Sequence, residues 1–328
     1  MLPLSARVAL VVALAIAVPG DASTRALGGG ERAFVAAEAD GQLVAVDLDD
    51  PPGSPAVVAR LRVARGPHNV AVSTSRRFLL VTSPPAGRVT LVESHAPRIV
   101  GVVGGLAYPH DVEFEPAGRF AYVTEERGDR IAVVDVTRLR VVRRVAVERQ
   151  PHDLAVGSFG NRVFVTHGPA TRHVTVLDTR RPSRTTVIGR IAVPGAPHDI
   201  AVACGERRVW LTFWGSGTVA ALNPRSGRVV VQRRAGRLVH HIQAAGKDVW
   251  VTDHHGARAR LLDGCSGRVL RTLKVGGSPH HVGVGPFAGH AVVASQSGTI
   301  TVLRTQCECV HRVRVGRGLH GVAVAGVP

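Results

Sequence analysis

The sequence predicts an all-β fold: a seven-bladed β-propeller of four-stranded antiparallel blades, closed by N-terminal strands pairing with a C-terminal strand. Three observations predict it. Seven histidines (His68, His110, His152, His198, His240, His280 and His320) recur at intervals of 42, 42, 46, 42, 40 and 40 residues, and a period of about 40–45 residues is that of a propeller blade. Each precedes a short apolar run: PHNVAV, PHDVEF, PHDLAV, PHDIAV, VHHIQA, PHHVGV and LHGVAV. Finally, RAFVAA and LVAVDL stand between Arg32 and Leu48, before any of these histidines, while only GVAVAGVP follows His320. The N-terminus thus lacks a first strand and the C-terminus supplies only a first strand, so pairing them completes blade seven without a long open edge.

Within a repeat, the elements follow from alternation and punctuation. In repeat two, strand A is Val112–Glu115, Pro116-Ala117-Gly118 turns the chain, and strand B is Arg119–Thr124. The polar stretch Glu125–Asp129 leads to strand C (Arg130–Val136), and strand D is Arg140–Val147. Val-rich alternation marks the strands, and Gly, Pro and Asp mark the turns. Asp47, Asp135, Asp178 and Asp263 close strand C and suit turn capping, as do Ser226-Gly227 and Ser266-Gly267. Trp210 and Trp250 fall in strand B and belong in the core.

These residues resemble a family. FAYVTE, RVFVTH and the frame P-H-D-[VIL]-A-V, YVT, V-x-V-[IL]-D are similar to the YVTN or YncE-like repeat proteins over residues 32–327. The resemblance implies the propeller fold and little about function, since propellers host unrelated chemistries. The Asn that usually follows YVT is replaced by Ser83, Glu125, His167, Phe213, Asp253 and Ser295. PHxI/V and WVTD carry a weaker similarity to virginiamycin B lyase-like propellers, which implies metal-assisted lyase chemistry with a catalytic His.

Domain organisation follows the repeats. Arg7, the apolar run Val8–Val18 and the small residues Ala22 and Ser23 read as a signal peptide over 1–23. The run is too short for an ordinary membrane span. Residues 24–31 are a short linker and 32–328 the propeller, so the chain is expected to be exported (secreted, periplasmic or cell-wall associated) and monomeric, with no span after cleavage. The net charge is +17, and all 41 basic residues except Lys247 and Lys274 are Arg. Surface Arg suits an anionic envelope polymer. Nucleic acid is disfavoured because aromatics are only 4% of the chain, and bases need stacking platforms. Cys204, Cys265, Cys307 and Cys309 permit disulfides without revealing their pairing.

The candidate site is the histidine ring. Loops from strand D to the next strand A share a face with the B–C loops, so the seven histidines surround the channel mouth. Imidazole suits Cu, Zn or Fe. Seven positions cannot all reach one ion at roughly 2.1 Å, so a subset of His68, His110, His152, His198, His240, His241, His280, His281 and His320 is expected to bind. His240, His280 and His320 are the best subset, because His241 and His281 double two of them. Asp111, Asp153 and Asp199 are candidate outer acceptors. The B–C loops supply a rim with Glu38, Asp40, Glu125, Glu126, Arg127, Asp129, His167, Arg172, Asp253, His254, His255 and Arg258, and Trp214 lies there too. Glu113 and Gln243 stand where other repeats carry Ala or Gly, and Glu113, with His240 and His280, is the candidate catalytic group. Two readings follow: a propeller binding a small-molecule or protein ligand on this face, or a metal-dependent lyase or oxidoreductase. A histidine here also serves as a loop brace in other propeller repeats, and a brace alone does not account for the doubled histidines.

Overall fold

The computed structural model describes residues 30–49, 55–285, 290–304 and 309–327. The candidate signal peptide lies outside the described residues. Seven four-stranded antiparallel sheets form the blades. The inner strands touch one another in a complete circuit, the last of them (Leu319–Val327) reaching both blade six and blade one. That strand pairs with Gly30–Ala37 to complete blade seven, as the sequence predicts. Among the described residues no helix is long and apolar enough to cross a membrane.

Blade two contains strands Pro109–Phe114, Phe120–Glu125, Arg130–Asp135 and Arg140–Ala146. Strand A therefore starts three residues earlier than the apolar run suggests. Its first residue, Pro109, pairs with Glu125, the ladder then skips His110 and Asp111, and it resumes at Val112 opposite Val123. The same interruption falls beside the key histidine in blades three, four, five, six and seven. A bulge re-aims the side chains it carries, which turns the histidine toward the axis.

The core lies between blades. Trp210 of blade four is fully buried against Ile242, Val249, Val251 and Leu262 of blade five. Its indole N–H donates to the Gly264 carbonyl at 2.8 Å. The outer D strands leave Ile99, Val102, Ile188 and Val230 exposed beside arginines, and charge on an edge discourages strand addition. The predicted turn caps occur: the Asp135 carboxylate accepts from the Arg138 N–H, and Asp263 from Cys265 and Ser266. A disulfide joins Cys204 to Cys265, linking blades four and five. Cys309 is also disulfide-bonded, while Cys307 lies outside the described residues.

Candidate functional site

The seven imidazoles form a closed ring in which each touches the next. Around the circuit from His68 the ring centroids lie 4.4, 4.0, 4.8, 4.5, 3.8 and 4.0 Å apart, and His320 returns to His68 at 3.5 Å. A regular heptagon with edges near 4 Å has a radius of roughly 5 Å, more than twice a metal–nitrogen bond. An ion on the axis reaches none of them. An ion on this ring must sit off-centre.

A threonine in strand B builds the ring. The Thr82 hydroxyl accepts the Asn69 N–H of its own blade at 2.9 Å and donates to the His110 carbonyl of the next at 2.9 Å. Thr124, Thr166, Thr212 and Thr252 repeat both contacts, donating to the carbonyls of His152, His198, His240 and His280. These staples are the physical content of the recurrent YVT, and sequence reasoning missed them although the Thr stood in five of seven repeats. Blades six and seven carry Ala294 and Ala36 instead. Between blades seven and one a backbone bond from the Gly321 N–H to the His68 carbonyl, 2.7 Å, takes the staple's place.

Side-chain partners divide the ring into two parts. His68 Nδ1 lies 3.4 Å from Glu38 Oε2, and its Nε2 is 2.9 Å from Nε2 of His110. His110 Nδ1 donates to the His152 carbonyl at 3.2 Å and lies 3.4 Å from Asp153. His152 Nδ1 meets Asp153 Oδ2 at 2.9 Å, and His198 Nδ1 donates to the His240 carbonyl at 3.0 Å. These four are oriented. By contrast, Nδ1 of His240, His280 and His320 is buried with no hydrogen-bond partner. A buried polar atom without a partner is rare in native structures. His280, His281 and His320 offer ligand atoms within 4.8 Å of one another. His240 lies against His280, ring centroids 3.8 Å apart, outside that set.

Electrostatics follow the same division. Burial, reinforced by neighbouring imidazoles, pushes His280 down to about 2 and holds His240, His281 and His320 well below the usual histidine range. These rings are neutral at physiological pH, as metal ligation requires. Burial also lowers His152, to about 3, and His68 and His198. His110 is the exception. Burial disfavours its charge, but Asp153 outweighs that and raises it. Asp153 in turn is held well below the carboxylate range, because His152 and His110 outweigh its burial.

Beneath the ring, the channel holds a cavity of about 240 Å³ lined by the residues that follow each histidine and by Glu113 and Gln243. Asp111 and Asp199 accept N–H groups from the next blade, Leu154 at 2.8 Å and Ile242 at 2.7 Å. His241 does the same through Nδ1 for the Val282 N–H at 3.2 Å. His241 thus braces the next blade, whereas His281 has no such bond and stacks on His241 at 4.0 Å. Glu113 accepts the Val156 N–H at 2.8 Å. Burial, with the nearby Asp111 charge, pushes Glu113 up to about 8, and burial with Asp153 pushes Asp111 up to about 7.

The rim needs correction at three positions. Glu125, His167 and Asp253 are buried, not loop residues facing solvent. Glu125 receives Arg130, Arg144 and the Ala107 N–H, Asp253 receives Arg260 and the Arg237 N–H, and His167 Nε2 bonds the Thr175 hydroxyl at 2.8 Å. They occupy the position after YVT and anchor the next loop. His254 remains near the ring, 5.8 Å from His240 and 5.9 Å from His280, while His255 is exposed and farther out. Trp214 is exposed and roofs the oriented part edge-on, its ring centroid 4.8 Å from that of His152 and 4.1 Å from that of His198.

No family model and no curated protein matches this sequence. Solved structures resemble it in fold. A functionally unknown protein from Desulfotomaculum acetoxidans aligns with a TM-score of 0.78 at 12% identity, covering 90% of this chain and 99% of that one. The periplasmic gluconolactonase PpgL of Pseudomonas aeruginosa gives 0.73 at 18%, covering 91% and 99%. Apo AztD from Citrobacter koseri gives 0.68 at 11%, covering 91% and 98%. At these identities the likeness establishes the propeller and nothing about its chemistry.

Proposed function

We propose that this chain is an exported, YVTN or YncE-like propeller that binds its ligand on the histidine-bearing face, and that the ligand includes a divalent transition ion, Cu, Zn or Fe. One observation carries the reading: Nδ1 of His240, His280 and His320 is buried without a partner. A neutral imidazole carries one acceptor nitrogen, and an ion is a partner that the neighbouring imidazoles of His280, His281 and His320 can share. His280, His281 and His320 supply a compact nitrogen set of the kind these metals take. Export rests on the signal-like segment 1–23 ahead of the linker 24–31 and propeller 32–328, and on fold likeness to a periplasmic gluconolactonase. Surface Arg adds attraction to an anionic envelope polymer.

The test is elemental mass spectrometry on protein exported and purified without chelator or affinity histidines, then challenged with each metal. Near-stoichiometric retention of one ion, lost in His280→Ala/His320→Ala, is expected. No retention of any metal returns the whole ring to a bracing role. A second reading, a metal-dependent lyase or oxidoreductase, is favoured by Glu113, a half-buried residue lining the cavity beneath the same imidazoles. It predicts that Glu113→Gln keeps the ion and abolishes turnover, whereas unchanged turnover removes Glu113 as the proton-transfer group.

A further inference from the structure

The face opposite the histidine ring, where the A–B and C–D turns lie, carries a separate cleft of about 450 Å³ between blades three and four. Arg162, Arg207, Arg208 and Arg225 line it. Among the described residues none of the four is in an ion pair with a carboxylate. Arg207 donates to the Cys204 carbonyl at 3.0 Å, and Arg208 to the carbonyls of Cys265 at 3.1 Å and Arg207 at 2.8 Å. Glu206, the one acid in the lining, lies within the cleft, its Oε1 accepting the Phe159 N–H at 2.9 Å. Four guanidinium groups against one carboxylate leave the cleft with an excess of positive charge, which favours an anion.

Two further features mark the cleft as built. Phe159 at its edge is 75% exposed, the most exposed of the large apolar residues among those described. Opposite it, Cys204, Gly205 and Glu206 take three successive left-handed backbone conformations, with φ of 57°, 59° and 59°. Only the glycine adopts that region freely. The Cys204–Cys265 bridge ties this turn to blade five, and Arg207 and Arg208 donate to the carbonyls of its two cysteines. Strained backbone persists where the surroundings over-determine it. The Oδ1 atom of Asn161, also in the lining, is buried without a partner.

We propose that this cleft binds a small aromatic anion, its phosphate or carboxylate held by the four guanidinium groups and its ring laid against Phe159. Guanidinium forks match both anion geometries, and an exposed aromatic ring offers a face or edge for stacking. The site is independent of the metal reading, because no residue is shared and the faces are opposite.

Isothermal titration calorimetry on the full oxidised chain tests it, with phenyl phosphate and inorganic phosphate as probes, chelator present, and salt at about 0.15 M to suppress general charge attraction. Saturable one-to-one binding of phenyl phosphate is expected, weakened at least about tenfold by Arg162→Ala/Arg225→Ala. Phe159→Ala should lower phenyl phosphate binding to the level of inorganic phosphate. Arg143→Ala/Arg314→Ala, on outer strands of other blades, should leave both probes unchanged, and circular dichroism checks that each variant is folded. Absence of saturable binding overturns the proposal. So does equal weakening by the outer-strand pair, which leaves only the net positive charge as the cause.

Discussion

The two parts of the histidine ring are built from the same repeat and differ in what surrounds them. From His68 to His198 each Nδ1 has a partner: Glu38, Asp153 or the carbonyl of the next histidine. From His240 to His320 no Nδ1 has one. The seams differ in step, since hydroxyl staples run from blade one to blade six and stop at Ala294 and Ala36. A repeated residue thus carries two roles, and the neighbours decide which.

Deleting residues 318–328 should have the largest effect, because the inner strand of blade seven and His320 leave together. The ring then opens, exposing a hydrophobic edge next to blade six. Loss of cooperative thermal unfolding is expected, and a sharp transition near the parent temperature would mean that closure contributes little.

Asp153→Ala against His280→Ala separates the two parts directly. Removing Asp153 strands two imidazoles, buried His152 and half-buried His110, whose protonated form Asp153 favours, and should cost about 3–5 kcal/mol in urea unfolding. His280→Ala breaks no hydrogen bond of its imidazole and should cost about 1 kcal/mol. Equal losses would show that the open part is braced as firmly as the other.

Acid should destabilise the protein through its neutral imidazoles. His280, His152 and His241 titrate at about 2, 3 and 4 in the fold, against an ordinary 6.5. The unfolded chain therefore binds more protons below pH 6.5, and stability falls as pH drops from there toward 4. Glu113 acts with the opposite sign. Its folded value of about 8 exceeds the ordinary 4.5, so stability is full below 4.5 and declines as pH rises through 8. Denaturant midpoints across pH 4–9 should form a dome, and Glu113→Gln should flatten only its alkaline side.

The smallest effects concern the staples. Thr124→Ala removes one donor and one acceptor and should cost about 2 kcal/mol, while Ala294→Thr, which restores the missing staple at blade six, should add about 1 kcal/mol. A loss on adding the hydroxyl would mean that the seam is closed by packing instead.

Much of this was legible in the sequence. Blade count, closure and turn caps follow from a period of about 40–45 residues, from the stranded strand pair at Arg32–Leu48, and from the aspartates that end strand C. Convergence of the seven histidines follows as well, because equal positions in a ring of equal blades share one axis. The early start of strand A was not legible, since Pro109 joins the ladder only by skipping His110 and Asp111. Nor was the burial of Glu125, His167 and Asp253, polar residues that read as loop until Arg130, Arg144, Thr175 and Arg260 are seen to meet them.

The sequence by itself determined the ring, because repetition places chemically equal groups at equal distances from an axis. Only the tertiary structure decided which imidazoles are occupied and which are open. That choice rests on contacts between blades, such as Asp153 with His110 or His241 with Val282, and on single substitutions such as Ala294 that matter only once the next blade is in place. The arginine cleft has the same origin: Arg162 comes from blade three and Arg207, Arg208 and Arg225 from blade four, and only packing places them around one cavity.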